Sequence, residues 1–445
     1  MGANLTNQSS PSTGRHRLRP SRGYDVATIS LDEFKSEVLE FLDANAEKKP
    51  PLKKFEWGEG SDEVSIFDEQ DRSEEERTVA AAKKWRAKCF DAGFGWIQGP
   101  EQYGGRELSA AHERLYASLE AQYRTPNMAP FGISLGMVAP TILAHAIPEV
   151  KDAYLSDLYR GDQIACQLFS EPGAGSDLAS LQTRADRDGD EWVVNGQKVW
   201  TSNAQFSDIG EIICRTDPEL PKHKGLTGFI VNMTAPGVDI RPLRQMTGGA
   251  SFNEVFFNDV RVPDTHRLGD VNQGWTVALT TLMNERASIG AGVGGGGGLT
   301  SSERLAAMLS HFGLADDPVY RNEAAAIYID FQVAKLTNQR ALDKIKAGGL
   351  PGPELSIAKL SLTNNLKRLS EFMAGVLGPR ILADTGEWGT FAWSKLLCGV
   401  PGMRVAGGTD EVMKNIVGER VLGLPKDPGI DSKTPFKDLQ VGTQR

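Results

Sequence analysis

The sequence predicts an α+β chain of several units, helical first, β in the middle and helical again. Three observations predict it. An apolar stripe at helical spacing opens the chain, the period shifts towards two between about 164 and 270, and helical texture returns from 274 onward. At 445 residues the chain can form two or three packed units with a large core. We divide it into a tail (1–29), a helical unit (30–163), a β unit (164–270), a second helical unit (271–430) and a closing tail (431–445).

The opening residues are polar, rich in Ser, Arg and Pro, and lack the apolar stretch of a secretory signal. We read them as the disordered tail of a bacterial cytoplasmic enzyme. Arg15, Arg17, Arg19 and Arg22, with few acids among them, keep a mitochondrial matrix protein as the alternative. Ser30 with Glu33 fits a capping box, and Leu31, Phe34, Val38 and Leu42 make one apolar stripe. The charged, turn-rich stretch 48–75 reads as a loop, with helices resuming at Glu76 and after Leu108.

In the β unit, 191–194 and 197–200 flank Asn195-Gly196, which reads as a hairpin turn. Further strands are expected at 228–233, 253–257 and just before Pro263. Later helices are expected at 275–288, 322–346, 355–377 and 410–421, with Pro351, Gly352 and Pro353 as punctuation. Helical, β, helical in that order suggests a ligand held between the β unit and the last helical unit, because clefts between units are common binding places.

Composition narrows the function. The net charge of −9 argues against general nucleic-acid or anionic-membrane binding. No apolar run approaches the ~20 residues that span a bilayer. Cys89, Cys166, Cys214 and Cys398 are far apart and show no metal spacing, and the six histidines are scattered, so no metal site is expected and the thiols read as reduced.

Three stretches carry chemistry. Residues 169–177 place Gly173 and Gly175 among Ser170, Glu171, Ser176 and Asp177, so main-chain N–H groups can approach an anion or a flat ring. Trp200, with Ser202 two residues later, offers an indole for stacking and a hydroxyl for a hydrogen bond. Gly407-Gly408-Thr409-Asp410-Glu411 leads into a helix with Thr409 as N-cap. Each alone is as readily a turn, a core residue or a helix start; their order and spacing make them specific.

With residues 100–105, 196–202, 252–263, 269–275 and 407–425 added to 169–178, the chain resembles the acyl-CoA dehydrogenases over nearly all its length after residue 30. The resemblance implies an N-terminal all-α domain, a middle β-barrel domain and a C-terminal four-helix bundle. It implies FAD between barrel and bundle, with Leu168, Phe169 and Ser170 lining the flavin, Trp200 stacking on it and Ser202 hydrogen-bonding near its reactive nitrogen. Thr409 and Glu411 would meet the cofactor further along. Ser176 would face the CoA side, and the Gly407 N–H would donate to the thioester carbonyl. The implied reaction is α,β-desaturation of an acyl-CoA, with electrons passed to electron-transfer flavoprotein. The implied assembly is a homodimer or homotetramer, or a hetero-oligomer.

Many members carry the α-proton base as a glutamate just before the Gly-Thr of the last block, where this chain has Gly407. A second subgroup carries it on the first long helix of the bundle, directly before an arginine. Glu285-Arg286 stand at that place, so Glu285 is the expected base, with Arg286 on the substrate side. An arginine that reaches a neighbouring subunit's FAD in some relatives is Leu309 here. The glycine run 294–298 reads as a helix break or loop, since each Gly costs a helix roughly 1 kcal/mol relative to Ala. If the helix instead runs on, the glycines lie about 13 Å beyond Glu285 and leave room for a wide acyl tail, so bulky or branched acyl groups are expected. Two other readings stand beside this one: a flavin monooxygenase or oxidase on the same fold, and a non-catalytic subunit of a mixed assembly.

Overall fold

The computed structural model describes residues 29–51, 55–66, 71–292, 301–346, 352–353, 355–426 and 433–439; the side chains of 286–292, 342, 345, 346 and 355 are outside that set. The opening tail to residue 28 and the glycine run 294–298 therefore lie outside the described residues.

The first unit is helical. Ser30 caps α1 (Leu31–Asn45): its hydroxyl accepts from the Glu33 N–H at 3.3 Å, while the Glu33 carboxylate accepts from the Ser30 N–H at 3.0 Å. Phe34, Val38 and Leu42 are buried as the stripe predicts. Leu31 is not: at the first helical position it stays 45% exposed. A short strand, β1 (Glu47–Lys48), pairs with β2 (Tyr123–Arg124). Between them lie α2 (Arg72–Asp91) and α3 (Ala110–Glu120), followed by α4 (Ala139–His145) and α5 (Pro148–Arg160). Helix α2 starts ahead of Glu76 because the Asp71 carboxylate accepts from the Glu74 N–H at 2.9 Å and sets an earlier cap.

Among the described residues eight strands make one sheet: β3 (Ala165–Leu168), β4 (Arg184–Asp188), β5 (Glu191–Ser202), β6 (Ile209–Arg215), β7 (Leu226–Asn232), β8 (Val238–Leu243), β9 (Phe252–Pro263) and β10 (Arg267–Leu268). Their order is β10-β7-β6-β4-β5-β9-β8, with β3 added to β6. The expected turn at Asn195-Gly196 is not there. Those residues lie inside β5, and the hairpin is β4 to β5, turning at Gly189 with φ +64°. The Asp188-Gly189 pair carries the true turn signal. Gly196 answers a different need: a Cβ there would sit 2.4 Å from Thr183 Oγ1, so the residue marks a close approach and a register shift against β9.

The last unit holds α6 (Gly274–Gly292), α7 (Ser302–His311), α8 (Pro318–Lys346), α9 (Leu355–Leu377), α10 (Ala392–Val405) and α11 (Asp410–Ile416), which ends in a π-helical turn at Val417–Val421. Helix α6 bridges the two kinds of structure. Val277, Ala278 and Thr281 are buried where it lies on β6 and β7, and it also packs on α4 and α9. Its first residue must be glycine, since a Cβ on Gly274 would come within 2.6 Å of the Thr227 main chain. Among the described residues no helix is long and apolar enough to cross a membrane, and no cluster of side chains could hold a metal ion.

Candidate active site

The site builds up from one end of the sheet. The Glu171 carboxylate accepts from the N–H groups of Gln182 at 2.6 Å and Thr183 at 2.9 Å, and so closes the glycine loop into a fixed shape. Beneath it lies Lys198, fully buried, whose ammonium donates to Glu171 Oε1 at 2.9 Å, Phe169 O at 3.0 Å and Ile213 O at 2.9 Å. All three ammonium protons have a partner, which is what a buried lysine requires. Burial pushes the Glu171 carboxyl up, but the Lys198 charge and the hydrogen bonds outweigh it and hold the group below its ordinary value.

This arrangement joins two of the sequence blocks. The Val199 N–H donates to Ser170 O at 2.9 Å, so residues 168–171 and 198–202 share one edge. Trp200 stands on the bulge between Lys198 and Thr201 with φ +61°. A bulky residue in the left-handed region is strained and persists only where its surroundings enforce it. At this bulge the indole lies outward, 61% exposed, with Phe252 edge-on at 6.0 Å. A large aromatic face presented at a glycine loop suits stacking against a flat ring. Ser202 is half-buried one step beyond. Thr201, between them, is buried with its hydroxyl unpaired, an orphan polar atom beside the site. The side chains of Leu168 and Phe169 point into the core, at 0% and 5% exposed, so these two can offer a ligand their main chain. Ser170 is half-buried and Ser176 is exposed on the loop.

The second group is helical. Glu285 stands one turn after Thr281 on α6, half-buried, and so continues the face that α6 lays on the sheet. The Arg286 side chain lies outside the described residues. Gly407 and Gly408 have φ +63° and +91°, conformations that glycine adopts without strain. Thr409 caps α11, accepting from the Val412 N–H at 3.2 Å, and Glu411 is exposed. Asp410 is buried and accepts from Arg404 Nε at 2.7 Å, Thr363 Oγ1 at 2.7 Å and Lys359 Nζ at 3.2 Å. Burial pushes its carboxyl up, and these donors more than reverse the effect.

A further acid stands at the seam between sheet and helices. Glu211 on β6 is wholly buried, and its Oε1 accepts from Thr281 Oγ1 at 2.6 Å; the Thr281 hydroxyl also meets that of Thr141 on α4 at 2.9 Å. Burial pushes Glu211 up to about 8, so it holds its proton at neutral pH. The sequence does not mark Glu211, Lys198 or Glu171 as buried: Glu171 and Lys198 lie in the 169–177 and 196–202 stretches, but nothing local tells a buried strand lysine or its acid partner from a solvated one. A small cavity of about 20 Å³ lies within the bundle between Arg304, Ile327, Met373 and Trp393, and none of the residues singled out from sequence lines it.

Comparison with known proteins adds three family matches: the acyl-CoA dehydrogenase N-terminal domain over residues 63–162, the middle domain over 166–260 and the C-terminal domain over 272–422. Acyl-CoA dehydrogenase IpdE1 of Mycobacterium tuberculosis is 33% identical, over 89% of this chain and 98% of that protein. Acyl-CoA dehydrogenase FadE34 of the same organism is 40% identical over 65% of this chain, a match spanning 39% of that longer protein. Among solved structures, the Tcur3481-Tcur3483 steroid ACAD superposes with TM-score 0.68 at 26% identity, over 89% of this chain and 98% of that one. The ChsE4-ChsE5 complex from Mycobacterium tuberculosis gives TM-score 0.64 at 27% identity, over 93% and 100%.

Proposed function

The chain belongs to the acyl-CoA dehydrogenase family, FAD-dependent oxidoreductases, and from that premise we propose how its residues divide the work. Glu285 takes the α-proton of an acyl-CoA onto its carboxylate. The Gly407 N–H donates to the thioester oxygen as negative charge develops there. FAD, when bound, supplies the acceptor for the hydride that leaves Cβ. Trp200 stacks on the cofactor ring, Ser202 donates at its edge, and Ser170 with the main chain of Leu168 and Phe169 lines it. Thr409 and Glu411 meet its far end. Ser176 and Arg286 serve the substrate side. Electron-transfer flavoprotein takes the electrons onward.

The observation that carries this reading is the meeting of Ser170 and Trp200: the Val199 N–H bond to Ser170 O sets an exposed, strained indole beside a braced glycine loop. The unpaired Thr201 hydroxyl and the exposed indole fit a flat, polar-edged ring. For the substrate we propose a bulky, ring-containing acyl group of the steroid kind. The likeness to a solved steroid acyl-CoA dehydrogenase supports it, and the glycine run that first suggested a wide pocket lies outside the described residues. The two-chain make-up of that structure and of the ChsE4-ChsE5 complex supports a mixed assembly, and also a second reading in which a partner chain supplies part of the site. Leu309 agrees with it: where some relatives place a cofactor-reaching arginine, this chain has a buried apolar residue. The mycobacterial relatives suit a bacterial cytoplasmic setting.

The test is Glu285→Gln, which keeps size and removes basicity. FAD stays bound, and single-turnover flavin bleaching by a substrate found in a screen of straight, branched and steroid acyl-CoA thioesters slows by roughly 10²–10⁴-fold. A rate within a few-fold of the parent places the base elsewhere. Acid release of the pigment should yield FAD, and FMN would overturn the cofactor assignment of the 407–411 block.

A further inference from the structure

The segment 433–439, read from sequence as tail, is folded onto the β unit. The Phe436 N–H donates to Leu220 O at 2.9 Å and the Lys437 N–H to Pro218 O at 3.0 Å, while Lys437 Nζ meets Glu219 at 2.7 Å. The Phe436 ring is buried, with the Arg215 guanidinium 3.7 Å from its centroid. Arg215 is itself buried. Its nitrogens donate to Lys222 O at 2.7 Å and Ala179 O at 2.6 Å, both main-chain oxygens. Lys222 Nζ then grips both Asp177 oxygens, at 2.7 and 2.8 Å, and Asp177 also accepts from Ser180 Oγ at 2.5 Å.

An unbroken run of contacts thus leads from the C-terminal segment to the residue beside Ser176. Two features give the run direction. The guanidinium donates only to carbonyls, so the aromatic face is what covers its charge, and losing that face would expose it to water and loosen its grip on the loop. The turn that the segment holds also carries Lys224 exposed at its tip, a cation suited to phosphate, beside His223, which burial and the Lys222 charge hold below its ordinary value and so neutral at pH 7.

We infer that residues 433–439 are a clamp that positions the 176–181 loop and the 218–224 turn, and so set affinity for the nucleotide end of coenzyme A. The inference rests on the reading that Ser176 faces the CoA side. Phe436 is a positioning residue: it acts through Arg215 and touches no reacting atom.

The experiment uses the FAD-loaded full chain, with coenzyme A and pantetheine as probes in titration calorimetry. Pantetheine lacks the phosphorylated nucleotide. The parent should bind coenzyme A more tightly than pantetheine. Phe436→Ala, and a chain ended after Lys426, should each weaken coenzyme A roughly 10-fold while leaving pantetheine and bound FAD unchanged. Phe436→Tyr, which keeps the aromatic face, should restore the parent value. Equal weakening of both probes would reduce the segment to a general brace and overturn the inference. So would unchanged coenzyme A binding in both variants. If the shortened chain does not fold, the two Phe436 variants decide. A parent that fails to distinguish the probes would show that the loop does not face the nucleotide. That failure of the underlying reading appears in the parent and is told apart from failure of the clamp, which appears only in the variants.

Discussion

The loop around Ser170 and the loop around Gly407 are both glycine-rich and both sit beside a buried acid, yet the two acids are held differently. Glu171 is paired with one wholly buried lysine and two main-chain N–H groups, on segments far apart in sequence. Asp410 is shared among Arg404, Lys359 and Thr363, and Arg404 is partly exposed. The first arrangement is dry and complete, so it fixes geometry and fails all at once. The second has water close by and can lose one donor and keep others. An arrangement of the first kind suits a surface that presents a strained indole, and one of the second kind suits the loop for which we propose contact with the thioester.

Lys198→Met should separate the two most sharply. It leaves Glu171 buried without its cation and strips donors from Phe169 and Ile213, at a cost of about 3–5 kcal/mol. Denaturant unfolding would measure it, and a loss under 1 kcal/mol would mean that the site is not dry. The parent's pair also carries a pH signature. Because the folded Glu171 carboxyl lies below its ordinary 4.5, its stabilisation is present above 4.5 and is lost as pH falls through the folded value.

Glu211 stands between the two halves with no cation paired to it among the described residues, so it should behave in the opposite way. Its folded value of about 8 exceeds the ordinary 4.5, so the contribution of its proton is full below 4.5 and is lost as pH rises towards 8. Glu211→Gln keeps an acceptor for Thr281 and removes that loss. It should gain on the order of 1–3 kcal/mol at pH 8 and nothing near pH 4.5. Melting curves at the two pH values check this, and a gain that does not change with pH would refute it. Asp410→Asn should cost less than Lys198→Met, about 1–2 kcal/mol, because Arg404 can turn to water. Equal losses in denaturant would erase the distinction between the loops. Smallest in stability is Trp200→Ala, within about 0.5 kcal/mol because the indole is exposed. Its effect should appear instead as roughly 10-fold weaker retention of FAD, read by flavin fluorescence after gel filtration. Unchanged retention would remove Trp200 from the cofactor surface.

The sequence by itself determined the helical, β, helical order, the capping box at Ser30 and Glu33, and the chemistry available at 170, 200 and 407. These rest on local propensity and periodicity, which need no knowledge of distant partners. It also determined that Gly407 cannot be a base. The tertiary structure alone decided the rest. Asn195-Gly196 has the composition of a turn, but the close pass over Thr183 keeps it in a strand, and the turn goes to Gly189. Lys198 and Glu171 look like solvated charges until β5 meets the glycine loop and removes both from water. Phe436, in what read as a tail, is buried with its ring against the Arg215 guanidinium. In each case the deciding partner lies 13 to 221 residues away along the chain, and only the folded register brings it within hydrogen-bonding or van der Waals reach.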